Sequence, residues 1–273
     1  MPGVKNVLHR LEAVLKQAAH ISAVNDVARV INPKGKNRVV LVCEHASHHI
    51  PAEFNHLGLS VDHLRSHIAW DPGALEIAQR MAELLNAPLV YSDVSRLVYD
   101  CNRPPEAESA MPAQSEVFDI PGYQNLSDLE RQSRTDTYYR PFEQLLSDTL
   151  EGHSTKPVLV TIHSFTPVYR GMKRDVEIGI LHDEDSRLAH AMLDQAEGYE
   201  TLLNKPYGPE HGVTHTLQRH ALSKSRLNVM LEIRSDLIGT SVQCKAKAEK
   251  LVVWLNEALL QLDAQAAKKR AEG

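Results

Sequence analysis

Only three of the 273 residues are cysteine, at positions 43, 101 and 244. Three thiols, odd in number and far apart, make neither a disulfide framework nor a thiolate zinc site, and they suit a reducing, cytoplasmic setting. No apolar run approaches the roughly 20 residues that a membrane helix requires, so no membrane span is expected. The stretch around Lys5 and Arg10 lacks both an unbroken apolar segment and a small-residue cleavage site, so no secretory signal is expected. The net charge of −5 gives no basic excess, which argues against nucleic acid or an anionic membrane surface as partner. Internal repeats and low-complexity linkers are missing too. A composition of 42% hydrophobic and 24% charged residues is that of an ordinary globular chain. Histidine, by contrast, is plentiful at 15 residues. The question is which few of these converge.

Strand-like and helix-like segments alternate along the chain. Val39–Cys43 is a short β-branched apolar run and reads as a buried strand. Similar runs stand at 88–92, 157–162, 176–181 and 228–233. Between and around them lie helical patterns at 74–85, at 127–150 with a Ser127/Glu130 capping box and a break at Pro141, at 185–197, and at 241–262. The expected fold class is therefore α/β, with a mostly parallel central sheet and helices on both faces. Residues 4 to 31 carry a three- and four-residue apolar spacing. Residues 1–36 are accordingly expected to form an N-terminal helical extension that covers the domain or contacts a second subunit as a homo-oligomer. Residues 37–265 form the single catalytic domain, and 266–273 a disordered tail. The segments 106–125 and 204–219 read as long loops, the first a candidate lid.

Three of the strands end in ligand-type residues: His45 just past the first, His163 at the end of the third, and Glu232 inside the fifth. Parallel strands bring their carboxyl ends to one sheet edge, where ligands collect in open α/β folds. His45 and His163 supply two of the three nitrogen or oxygen donors that a catalytic zinc needs. For the third, Asp71 in the turn Trp70-Asp71-Pro72-Gly73 is preferred, with Glu44 as its rival and His48 behind both. Adjacent Glu44 and His45 would point to opposite faces of a strand. Glu232 interrupts an apolar strand, and two readings stand: a general base, or an ion pair with Arg234 or another arginine. Arg96, Arg103 and Arg234 follow strands, and guanidinium groups grip carboxylates, so a small anionic substrate is the expected partner.

Five segments together resemble the N-formylglutamate amidohydrolase family: Cys43-Glu44-His45-Ala46-Ser47, Trp70-Asp71-Pro72-Gly73-Ala74, Ser95-Arg96 with Asp100-Cys101-Asn102-Arg103-Pro104, Ile162-His163-Ser164-Phe165, and Leu231-Glu232-Ile233-Arg234-Ser235-Asp236. They occur in the family's order across roughly residues 38 to 240. The resemblance implies a zinc-dependent amide hydrolase on a phosphorylase/hydrolase-like α/β fold akin to zinc carboxypeptidases. A more distant similarity to zinc-dependent cell-wall N-acetylmuramoyl-L-alanine amidases maps metal ligands onto His45, Asp71 and His163 and the catalytic carboxylate onto Glu232. It thereby favours Asp71 over Glu44. The resemblance implies zinc, or another divalent metal in its place, and hydrolysis of N-formyl-L-glutamate to formate and L-glutamate; Arg96 and Arg103 are expected to hold the substrate carboxylates, and Arg234 either to do so or to orient Glu232. The formylglutamate deformylases read Pro-His-Ala-Gly-Thr at the first motif where this chain has Cys-Glu-His-Ala-Ser, and segment 207–220 also differs. The alternatives are an amidase for another small amide or a peptidoglycan-type substrate on the same scaffold, or a non-enzymatic metal- or partner-binding member.

Overall fold

The computed structural model describes residues 21–23, 27–115, 118–153 and 156–272. Among these, eight strands form one sheet: β1 (Ile21–Ala23), β2 (Ala28–Ile31), β3 (Val39–Cys43), β4 (Leu89–Ser92), β5 (Val158–Phe165), β6 (Ile178–Leu181), β7 (Thr201–Leu203) and β8 (Asn228–Arg234). Their order across the sheet is β1-β2-β4-β3-β5-β8-β6-β7. The four central strands, β4, β3, β5 and β8, run parallel. The edges turn back: β2 pairs antiparallel with β4, and β6 antiparallel with β8. The helices are α1 (Val61–Arg65), α2 (Ala74–Leu85), α3 (Asp128–Arg134), α4 (Arg140–Glu151), α5 (Arg187–Leu193), α6 (His215–His220) and α7 (Ser241–Glu272).

The central strands are continuous apolar runs because both faces are covered. Along β3, Val39, Leu41 and Cys43 pack on one side with Ile77 and Met81 of α2 and Trp254 and Leu255 of α7. Val40 and Val42 pack on the other with Phe142, Leu145 and Leu146 of α4. Every residue of β3 is buried, as expected when successive side chains enter opposite cores. The expected mostly parallel sheet with helices on both faces is the one observed.

Local signals at the helix ends hold as well. Ser127 accepts the Glu130 N–H at 3.3 Å, and the Glu130 carboxylate accepts the Ser127 N–H at 2.8 Å. Pro141 lies in a helical run that continues from α3 into α4 without the break expected there, and the irregularity falls on the turn before it. The turn just ahead of it, Thr135–Tyr139, is a π-helical segment.

Three expectations need correction. The helical extension does not reach residue 31, because β1 and β2 lie within 1–36 and belong to the main sheet. Ala28–Ile31 alternates buried and half-buried, the period of a strand. Residues 1–20, which carry the helical spacing, lie outside the described residues. The 204–219 loop contains α6. At the carboxyl end α7 continues to Glu272, with its last turns exposed, where a disordered tail from 266 was expected. The helix formers Ala, Gln, Lys and Glu in 264–272 explain that continuation. No helix among the described residues is long and apolar enough to cross a membrane.

Candidate metal and catalytic site

The carboxyl ends of β3, β5 and β8 meet at one edge, as the parallel registers require. β3 runs alongside β5 with Val42 opposite Thr161, and β5 alongside β8 with His163 opposite Glu232. His45 follows β3 by two residues. The turn bearing Asp71 is tied to this edge by backbone and side chain. The Asp71 N–H donates to the His45 carbonyl at 3.0 Å, Ser164 Oγ donates to the Pro72 carbonyl at 3.0 Å, and Ser95 Oγ donates to the Ala69 carbonyl at 2.7 Å. Gly73 turns the chain into α2 with a φ of +83°, and a Cβ there would collide with Ile238. Both constraints demand glycine at this position.

His45 Nδ1, His163 Nδ1 and Asp71 Oδ2 converge on one point. The distances are 3.2 Å between the two nitrogens, 3.2 Å from His45 to the carboxylate oxygen, and 2.9 Å from His163 to it. With metal–ligand bonds of about 2.0–2.1 Å, donors on a tetrahedral zinc stand about 3.3 Å apart. The triangle therefore has the size and donor chemistry to hold a divalent metal. The outer nitrogens are fixed by carboxylates. His45 Nε2 lies 2.7 Å from Asp100 Oδ1, which makes it the protonated nitrogen and turns Nδ1 inward. His163 Nε2 lies 3.1 Å from Glu44 Oε2, close enough for ion pairing but without hydrogen-bond alignment.

Four carboxylates, Glu44, Asp71, Asp100 and Glu232, are buried here within a single neighbourhood. Burial opposes ionisation of Asp71, but His45, His163 and His67 outweigh it and hold its carboxyl well below the usual range. Asp100 is held low in the same way by His45, Arg96 and Arg103. For His163, burial disfavours the charge, yet Glu44 and Asp71 together push its pKa well above the ordinary imidazole value. Glu232 behaves differently. Burial, reinforced by Asp71, pushes it up to about 7, and its Oε2 has no hydrogen-bond partner among the described residues. This excess of buried negative charge is what a divalent cation would offset.

A cavity of about 300 Å³ opens over this group, lined among others by His67, Arg96, Arg103, Tyr169, Tyr207 and Glu232. The 106–125 segment contributes Ser109, Pro112, Gln114 and Ser115 to its wall, so the expected lid forms part of the site.

The arginines separate into three cases. Arg96 donates to Asp71 Oδ1 at 3.3 Å and Asp100 Oδ2 at 3.1 Å, so its fork is already spent on protein carboxylates. Arg103 spends only Nη1, on the Asn102 and Gly212 carbonyls at 2.9 and 2.8 Å. Its other nitrogens make no hydrogen bond among the described residues. Arg234 is not in the site. Its Nη1 donates to the carbonyls of Arg174, Asp175 and Val176, and its Nε to Asp236 at 2.8 Å. Arg234 does not line the cavity, and its ion pairs among the described residues are with Glu177 and Asp236 rather than Glu232. We expect Arg234→Ala to lower unfolding stability by roughly 2 kcal/mol, since three carbonyls lose a charged donor, and to leave KM for an acidic substrate unchanged. A raised KM at unaltered stability would return this arginine to the substrate site.

Asp100 and His67 join the site without a distinct sequence signal, Asp100 from inside the Asp-Cys-Asn-Arg motif. Glu44, the rival to Asp71, sits behind His163. His67 Nε2 donates to the Ser164 carbonyl at 2.6 Å, on the cavity wall. His48 and His49 are exposed. Cys43 is a packing residue whose thiol is pushed well up by burial and by Asp71, which removes it as a nucleophile.

A parallel-centred α/β sheet that gathers His, Asp and an isolated Glu at its strand ends beneath a cavity defines a hydrolase-type site able to hold a metal. The chain belongs to the N-formylglutamate amidohydrolase family, whose model matches residues 37–239. It is similar to a gene product of Agrobacterium tumefaciens of known crystal structure, at 52% identity and a TM-score of 0.85, covering 88% of this chain and 97% of that one. It is also similar to the N-formylglutamate amidohydrolase from Ralstonia eutropha, at 17% identity and a TM-score of 0.57, covering 86% and 98%. At that identity the likeness is one of fold. No curated protein matches the sequence.

Proposed function

We propose that this protein is a metal-dependent amide hydrolase acting on a small acidic N-formyl or N-acyl amino acid, with N-formyl-L-glutamate the first substrate to test. The observation that carries the reading is the His45–Asp71–His163 donor triangle, with the unpartnered Glu232 carboxylate one strand away. Family membership supports the amide chemistry. His45, Asp71 and His163 would hold zinc or another divalent ion. That ion would supply Lewis acidity, making water acidic enough to release a proton near neutral pH.

Glu232 takes the proton of the attacking water and returns it to the leaving amine nitrogen as the amide C–N bond breaks. Burial raises the Glu232 pKa and so strengthens it as a base, and the proton it takes is available for the leaving nitrogen. Asp100 holds the His45 imidazole in orientation, and Glu44 lies as a counter-charge behind His163. Arg96 bridges Asp71 and Asp100 and keeps the ligand carboxylate in place. Arg103, with Nε and Nη2 unspent, is the guanidinium that grips the substrate carboxylate.

The test is hydrolysis of N-formyl-L-glutamate followed as formate and glutamate. We expect turnover with zinc, its loss on chelation, and its recovery when zinc is returned. Turnover indifferent to a strong chelator would overturn the metal assignment. Absence of hydrolysis across N-formyl and N-acyl amino acids would overturn the enzymatic reading and favour a metal- or partner-binding role.

A further inference from the structure

The cavity over the site does not end at its own wall. Tyr169 and Tyr207 line it and also line a second, more open depression of about 460 Å³ beside it. The exposed surface of this groove is mainly apolar, with Val176, Leu202 and Pro206 in its lining beside the polar Arg174, Lys205 and His211. The two shared tyrosines are braced. Arg174 Nη2 donates to the Tyr207 hydroxyl at 2.8 Å, and the guanidinium lies 4.6 Å from the Tyr169 ring centre and 4.9 Å from that of Tyr207. The groove floor is fixed as well, because Gly179 on β6 lets the Lys205 carbonyl press against the strand where any side chain would collide.

A formyl group is one carbon and would leave this groove unused. The amino-acid half of the substrate is acidic and belongs with Arg103, so the part that can be apolar is the acyl group. Resting on the amide-hydrolase reading above, we propose that the groove is an acyl subsite and that the preferred substrates are N-acyl acidic amino acids. Their acyl chain is aromatic or medium-length aliphatic, and it runs past Tyr169 and Tyr207, the residues common to both cavities, to lie against Leu202 and Pro206. One extra methylene in an apolar pocket is commonly worth tenfold or more in kcat/KM, so a chain of several carbons should be strongly preferred.

The experiment compares the metal-loaded enzyme on N-formyl-, N-acetyl-, N-hexanoyl- and N-phenylacetyl-L-glutamate. A kcat/KM at least tenfold higher for hexanoyl or phenylacetyl than for acetyl supports the subsite. Leu202→Trp, which fills the groove, should reduce that ratio at least tenfold. Calorimetric titration of N-hexanoyl-L-glutamate into Glu232→Gln protein, with and without Leu202→Trp, should show at least a tenfold weaker Kd in the double variant. Formyl and acetyl substrates turned over as well as or better than the longer ones would overturn the subsite while leaving the hydrolase reading intact. An unchanged ratio and Kd in the Leu202→Trp proteins would also overturn it. No turnover of any member would overturn the hydrolase reading and the subsite with it.

Discussion

Glu232→Gln should abolish turnover while leaving the metal bound. General acid–base catalysis by a positioned side chain is typically worth about 10²–10⁴ in rate, which is about 3–5 kcal/mol of barrier. The amide keeps the shape of the carboxylate but cannot take a proton, so metal content and substrate Kd should stay close to those of the parent. A second signature needs no substrate. Burial raises the Glu232 carboxyl from its ordinary value of 4.5 to about 7, so the folded protein binds this proton more tightly than the unfolded chain does. Stability from that proton is fully present below the unfolded value and is lost as pH rises towards 7. Above pH 7 the metal-free protein carries an ionised, unpartnered carboxylate at a cost of roughly 3 kcal/mol. Glu232→Gln should therefore raise the stability of the metal-free protein at pH 8 and change it little at pH 4. In the parent enzyme kcat/KM should fall as pH drops and Glu232 protonates, and bound metal moves that limb below 7 by favouring the charged form. A glutamine variant that retains full turnover, or one that is destabilised at pH 8, would remove Glu232 from the role of base.

Much of this site could be read before any coordinates because strand ends announce themselves. Val39–Cys43 and the apolar run before His163 each stop at a polar residue, and parallel pairing forces such stops together. Glu232 stood out for the opposite reason, a carboxylate inside an apolar run. What stayed hidden depends on direction rather than position. Sequence cannot tell that Arg234 turns back onto the 174–176 carbonyls or that Arg96 is spent on Asp71 and Asp100, because side-chain aim is set by packing from distant segments. The N-terminal misreading has a similar origin. Ala28–Ile31 is too short for its period to separate strand from helix, and only pairing with β4 decides it. The groove beside the site is built from the segment between β5 and β6, from β7 and from the loop after β7, which share no sequence pattern.

Removing a donor of the triangle should be more damaging than removing any support behind it, and the order of effects identifies the ligands. Loss of an orienting carboxylate typically costs 10–100-fold in metal affinity. We expect Asp100→Asn and Glu44→Gln to fall in that range, measured by competition with a chelator of known affinity. His163→Ala, His45→Ala and Asp71→Asn each delete one of three donors and should exceed roughly 100-fold, with turnover falling to background. The order also settles the contest between Asp71 and Glu44. Asp71 Oδ2 lies 2.9 and 3.2 Å from the two inward nitrogens, whereas Glu44 faces the outer nitrogen of His163. If Glu44→Gln proved as severe as His163→Ala while Asp71→Asn proved mild, the ligand set would have to be redrawn around Glu44. Metal uptake supplies an independent check. Glu44 and Asp71 hold the His163 pKa well above its ordinary value despite burial, so the metal-free protein carries a proton there at neutral pH that the ion must displace. Titrations in buffers of different ionisation enthalpy should report net proton release on zinc binding, and affinity should weaken as pH falls. Uptake with no proton release would mean that His163 does not serve as a donor.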